Sequence, residues 1–196
     1  MFRLYNANLG YSICVCVGLL LNACATTTTN INPRPEDWAP AEEIPLTAAC
    51  PDISGVYEDW AKDCGASHCQ LLNVFLFRTD YPLAERVEIA QLHDERLKII
   101  GKWSGAKTEI VLSRRNGDFE CGPEGLVVTG GDGSFYAGWA AYGAVNETRS
   151  FNRCSDGSLV MKVVRMAHGN MHLYPILPFS THEVVWARWK AIPALE

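Results

Sequence analysis

From Cys50 onward, turn-forming residues interrupt the chain so often that no amphipathic stretch of more than about ten residues is left for a helix. Asn116-Gly117-Asp118, residues 130–133, Asp156-Gly157 and Gly169-Asn170 all carry turn chemistry. Between such points stand short segments rich in β-branched and aromatic residues with partial alternation. They cover residues 54–58, 71–77, 86–92, 96–103, 108–112, 126–129, 135–142, 148–152, 159–167, 171–176 and 183–189. Residues 59–70 have room for one helical turn. Short strands and tight turns predict a mainly β fold, an antiparallel meander closing into an up-and-down barrel.

The N-terminus is built differently. Arg3 gives a weakly basic start, residues 13–21 are apolar apart from Gly18, and Ala23 is small, so residues 1–23 have the three parts of an export signal. The apolar run spans about 14 Å as a helix, too short for a hydrocarbon core of about 30 Å. Leu21-Asn22-Ala23-Cys24 resembles the lipobox of bacterial lipoproteins. That resemblance implies cleavage before Cys24, a lipid on Cys24 and a membrane-anchored position in the cell envelope. Ala25 resembles the residue that permits sorting to an outer membrane, with the domain facing the periplasm. The alternative is an ordinary signal peptide with a cysteine beside its cut.

The formal net charge of −5 gives no electrostatic reason to bind nucleic acid. It also attracts anionic headgroups little, so acyl chains would supply the membrane affinity. After Cys24, residues 25–49 open on Ala25 and a run of four threonines, followed by Pro33, Pro35, Pro40, Pro45 and four acids. This composition predicts a loose tether, its ends roughly 25–30 Å apart, ahead of a single domain over residues 50–196. Trp38 is the residue there able to dock back onto the domain or to sit in the membrane interface.

The chain has eight cysteines. Cys14 and Cys16 leave with the leader and Cys24 carries lipid. Cys50, Cys64, Cys69, Cys121 and Cys154 remain, and in an exported protein they are disulfide partners before they are metal ligands. Cys64 with Cys69 is the favoured local pair, and Cys50 is expected to join Cys121 or Cys154. The number is odd, so one thiol is free or pairs between chains. Cys121 and Cys154 each precede a turn and a Leu-Val segment, as two similar hairpins would.

Candidate chemistry is sparse. Residues 64–69 hold two thiols and His68, one ligand short of a tetrahedral zinc site. Cys69, His68 and His93 are the candidates for a thiol-dependent enzyme, but nothing adjacent would orient the imidazole. A hairpin turn at Gly169-Asn170 would send His168 and His172 to opposite faces, and would put Val164, Met166 and Leu173 on one core stripe. Residues 129–134 lack the lysine and following helix of a phosphate loop. The expectation is a non-catalytic protein with no metal and no cofactor. Its abundant aromatics fill a barrel core, or Phe75, Tyr136 and Trp139 line an apolar pocket at the mouth.

Cys50-Pro51-Asp52-Ile53-Ser54-Gly55-Val56-Tyr57 resembles the opening strand of a set of uncharacterised bacterial envelope lipoproteins. The segments at Cys121, Tyr174-Pro175-Ile176 and Trp186-Ala187-Arg188 share that likeness. A looser similarity is to lipocalin-like barrels, which open on Gly-x-Trp and lay a late arginine over that ring. Gly55-x-Tyr57 and Arg188 stand in those positions, which implies a barrel-closing cation–ring contact. The implied activity is binding of an apolar small molecule, or alternatively of an envelope protein.

Overall fold

A computed structural model describes residues 26–42, 50–61, 63–64, 72, 76, 83–92, 95–136, 141–171 and 177–193. The smaller of two sheets orders β2 (Gly55–Tyr57), β4 (Arg86–Leu92), β5 (Arg96–Trp103) and β6 (Ala106–Ser113). Alternation does what it predicts here. Val87, Ile89, Leu97 and Ile99 point inward and are essentially inaccessible, while Lys98–Glu109 and Lys102–Glu88 pair across the other face at 2.8 and 2.5 Å. Ser104-Gly105 joins β5 to β6, and Gly105 takes the left-handed backbone (φ 76°) such a short turn requires.

The larger sheet orders β1 (Thr26–Ile31), β11 (Leu177–Trp189), β10 (Leu159–Met171), β9 (Ala141–Arg153), β8 (Gly125–Tyr136) and β7 (Glu120–Gly122), and β3 (Asp63–Cys64) also pairs with β11. β1 runs parallel to β11 and the other neighbours are antiparallel. Beyond β11 the chain turns onto β2: Ile192 N–H donates to Val56 O at 2.8 Å and Glu58 N–H to Lys190 O at 3.0 Å. The last strand thus returns to the first of the meander. Between β6 and β7, a 3-10 turn at Arg114–Asn116 intervenes, held by Ser113 N–H donating to Asp118 Oδ2 at 2.8 Å. The described pairings therefore form two sheets and not a closed ring.

Both sheets contribute to one core. Tyr57, Leu97, Leu126, Phe151, Leu159, Met161 and Trp189 meet there with Ile53 and Phe119. Each fully buried side chain of this size contributes about 1.5–3 kcal/mol. The polar handles are satisfied: Tyr57 Oη donates to Ile53 O at 3.0 Å and Trp189 Nε1 to Asp59 O at 3.2 Å. Asp59 is itself buried, and its Oδ2 accepts from Ala84 N–H at 2.7 Å.

Several expectations are corrected. Thr26–Ile31 is a strand, and residues 32–42 are strapped to the domain instead of forming a loose tether. Proline removes N–H donors only at its own positions. Asn32, Trp38 and Glu42 still donate, and Trp38 is buried against Cys154 and Val160. β8 runs through residues 130–133 with a bulge between Thr129 and Gly131, and β10 runs through Gly169-Asn170, so neither glycine pair makes the expected loop. The core stripe of β10 is Leu159, Met161 and Val163, and Met166 is half exposed at 52%. Leu72 and Leu76, expected in a strand, are helical and buried, because apolar residues four apart also share one helix face.

Candidate functional site

Strands β8 to β11 carry 12 or 13 residues each and so run about 40 Å, roughly twice what the core covers. Core side chains occupy one half. On the same face, the next position along is charged: Glu147 pairs with Arg165, which pairs with Glu183. Arg165 donates from Nε and Nη2 to Glu147 Oε2 at 3.0 and 2.8 Å, and from Nη1 to Glu183 Oε2 at 3.2 Å. Arg149 Nε donates to Glu147 Oε1 at 2.6 Å. Burial pushes the Glu147 carboxyl up, but the Arg165 hydrogen bonds and the Arg149 charge outweigh it and hold the group below the usual carboxylate range.

Beyond that ionic row the inner face turns apolar and small. Val145, Ala167 and Thr181 form one cross-strand row, Gly143, Gly169 and Phe179 the next, and Ala141, Met171 and Leu177 the last. All are half-buried. Phe135 stands opposite Gly143 in the backbone register, so two glycines lie between two phenylalanine positions. The strands approach too closely there for a side chain: a Cβ at Gly169 would sit 2.2 Å from Tyr142 O. On the opposite, outer face of the same strands, where neighbouring positions point, an open hollow of about 450 Å³ lies at this end, lined by Ser134, Tyr142, Ala144, His168 and Asn170 around the glycines. Asn170 Nδ2 donates to Tyr142 Oη at 3.2 Å across its rim.

The residues singled out from the sequence are distributed as follows. Cys50 is bonded to Cys121, one of its two expected partners, linking the lead into β2 to β7. Cys154 is free and buried, and accepts from Arg34 Nη2 at 3.3 Å; burial raises its thiol pKa despite the Ser158 hydrogen bond and the Arg34 charge. Cys64 is described by its backbone, opposite Ala187, and its side chain lies outside the described residues, as do Cys24, His68, Cys69, Phe75, His93, Trp139 and His172. Tyr136 is described by its backbone, paired with Tyr142 at the edge of the hollow.

Tyr57 and Arg188 are both near the seam, but not as a cation–ring pair. Tyr57 is buried in the core and its backbone pairs with Ala191. The Arg188 guanidinium lies over Trp38 on the other face of β11, 5.2 Å from the ring centroid, because neighbours along a strand point to opposite faces. Among the described residues, no three His, Cys, Asp or Glu side chains gather as a metal site.

Sequence reasoning passed over Glu147, Arg149, Arg165 and Glu183. Their signal was a charge in the middle of an otherwise apolar strand, which becomes legible only once the register aligns the three strands.

No family model, curated protein or solved structure matches the chain. Its residues and their arrangement therefore carry the functional argument alone.

Proposed function

We propose that the chain is a lipid-anchored lipoprotein of the bacterial envelope, facing the periplasm, whose lipocalin-like barrel, left open between β6 and β7, binds an apolar small molecule without catalysis. The leader and the Leu21–Cys24 segment support the anchor. The return of residues 190–192 onto β2 supports the barrel-like connectivity. One observation carries the binding reading: the hollow over Gly143 and Gly169 falls within the volume range of small-molecule sites, roughly 300–1,000 Å³. Tyr142 and Ala144 give it apolar surface, and Asn170 and His168 give it few polar groups.

The test is a fluorescence titration of the full chain with the uncharged dye N-phenyl-1-naphthylamine. Saturable binding is expected, weakened about tenfold by Ala144→Trp, which loses about 1.4 kcal/mol by filling the hollow. A linear, unsaturable response, or equal affinity in the variant, rejects the reading.

A second reading, an envelope interaction protein, is favoured by the filled core, where Leu97, Ile99, Leu126, Phe151 and Trp189 leave no exposed surface of their own. Crosslinking in the intact envelope distinguishes it: a specific protein adduct supports it, and none counts against it.

A further inference from the structure

We infer that the uncharged end of the larger sheet, around Tyr142, Met166 and Phe179, rests on the surface of the lipid bilayer. The inference builds on the lipidation of Cys24 proposed above and adds an orientation that lipidation alone does not supply.

Two independent observations meet at this end. The first is where the anchor enters. Thr26 opens β1 and stands opposite Phe179, near the start of β11. Cys24 precedes it by two residues, a reach of at most about 7 Å even fully extended. The anchoring lipid therefore leaves the domain beside Phe179. The register puts the end of β8 (Tyr136), the start of β9 (Ala141), the end of β10 (Met171) and the start of β11 (Leu177) at that same end.

The second is charge. Residues 25–33, 133–146 and 166–182 contain no Asp, Glu, Lys or Arg. The Glu147, Arg165 and Glu183 row marks the boundary, and on the far side of it the described residues of these strands hold one acid, Asp132, opposite Asn146. The side chains there include Tyr142 and Met166, exposed by 42% and 52%, and half-buried Phe179, Met171 and Leu177. A face meant only for water would carry charge on such long strands, as the smaller sheet does with its Lys–Glu pairs. Aromatic residues with a polar tip, such as Tyr142, suit the boundary between headgroups and acyl chains, where a bare Asp or Lys would lose solvation. The partner so defined is a phospholipid surface, not a particular headgroup: neutral residues offer no ion pair to read one.

The test uses the full chain, processed in a bacterium that lipidates lipoproteins and reconstituted into phosphatidylcholine vesicles with brominated acyl chains. Tyr142→Trp and Met166→Trp each add an indole at the uncharged end, at positions exposed enough to accept it. Glu124→Trp adds one just ahead of the opposite end of β8, about 40 Å from position 142 and about 25 Å from position 166. The added emission at 142 or 166 should be quenched about threefold more strongly than that at 124, as expected of side chains within the outer 5–10 Å of the interface. Acylated Cys24 with equal quenching at all three positions, or stronger quenching at 124, overturns the orientation while leaving the anchor in place. Unmodified Cys24 by mass spectrometry, with no retention on vesicles, overturns both.

Discussion

Arg188 lies over the ring of Trp38, 5.2 Å from its centroid, and this contact clamps the segment after β1 to the outer face of β11. Trp38 is 6% exposed and packs on Val160 and Cys154, while Trp186 Nε1 donates to Asn32 O at 3.0 Å. The N-terminal strand and its strap thus have a small core of their own. An anchor attached just ahead of β1 would pull on this clamp before it reached the main core.

Trp38→Ala should therefore loosen residues 26–42 selectively, at a cost of about 3 kcal/mol from lost burial and the lost cation–ring contact. Hydrogen exchange reads it. Amides of Asn32 and Glu42 should lose protection while those of β5 and β9 keep theirs. Uniform loss across all strands would mean that the strap is part of the main cooperative unit.

The Glu147 carboxyl is held below its ordinary range by Arg165 and Arg149 in spite of burial. Its folded pKa is thus lower than its unfolded value of about 4.3. The stability it contributes is present above that value and is lost as pH falls through the folded pKa, because the unfolded state then binds the proton more readily. Denaturant midpoints from pH 7 down to 3 should fall more steeply for the wild type than for Glu147→Gln. The variant itself should be about 2 kcal/mol less stable at pH 7, since it takes the Glu147 carboxylate away from both Arg149 and Arg165, and Arg165 keeps Glu183.

Burial pushes the Tyr57 phenol up to about 12, ahead of the opposing pull of Arg153. Its unfolded value is near 10, so the stability held by the neutral phenol is complete below pH 10 and is lost as pH rises through 12. Alkaline unfolding monitored by circular dichroism should be shallower for Tyr57→Phe over this window. At neutral pH the same variant should lose about 1 kcal/mol, the hydrogen bond from Oη to Ile53 O.

Cys50 and Cys121 are separated by 71 positions, and their bond joins the two sheets. Closing a loop of that length lowers the entropy of the unfolded chain by an amount worth about 4 kcal/mol. The paired variant Cys50→Ala with Cys121→Ala should unfold at correspondingly lower denaturant concentration. A shift below about 1 kcal/mol would mean that the sheets are held together by the shared core alone.

Local patterning made most of the strands legible. Residues 86–92 and 96–103 coincide with β4 and β5, since strict inward alternation of Val87, Ile89, Leu97 and Ile99 leaves one register. It failed where a residue type has two uses. Glycine at 131 and 169 reads as a turn, but it also serves a bulge within a strand, as at 131, or a close approach of neighbouring backbones, as at 169. Leu72 and Leu76 fit either period. For the candidate site, Tyr136 was named and its neighbours Tyr142, Gly143 and Gly169 were not, because nothing along the chain puts residue 143 beside residue 169.

What the sequence determined by itself was the mainly β character, the strands of the smaller sheet, and the short list of partners open to Cys50. These follow from side-chain alternation and covalent chemistry, which act over a few residues. Tertiary structure alone decided that Cys50 pairs with Cys121, that Arg188 covers Trp38 and not Tyr57, and that residues 26–42 join the sheet. It also decided that Glu147, Arg165 and Glu183 form one ionic row, with an uncharged end beyond it. Those outcomes depend on which face each strand presents and which strand lies next to it. Both are set by burial across the whole chain and not by any segment within it.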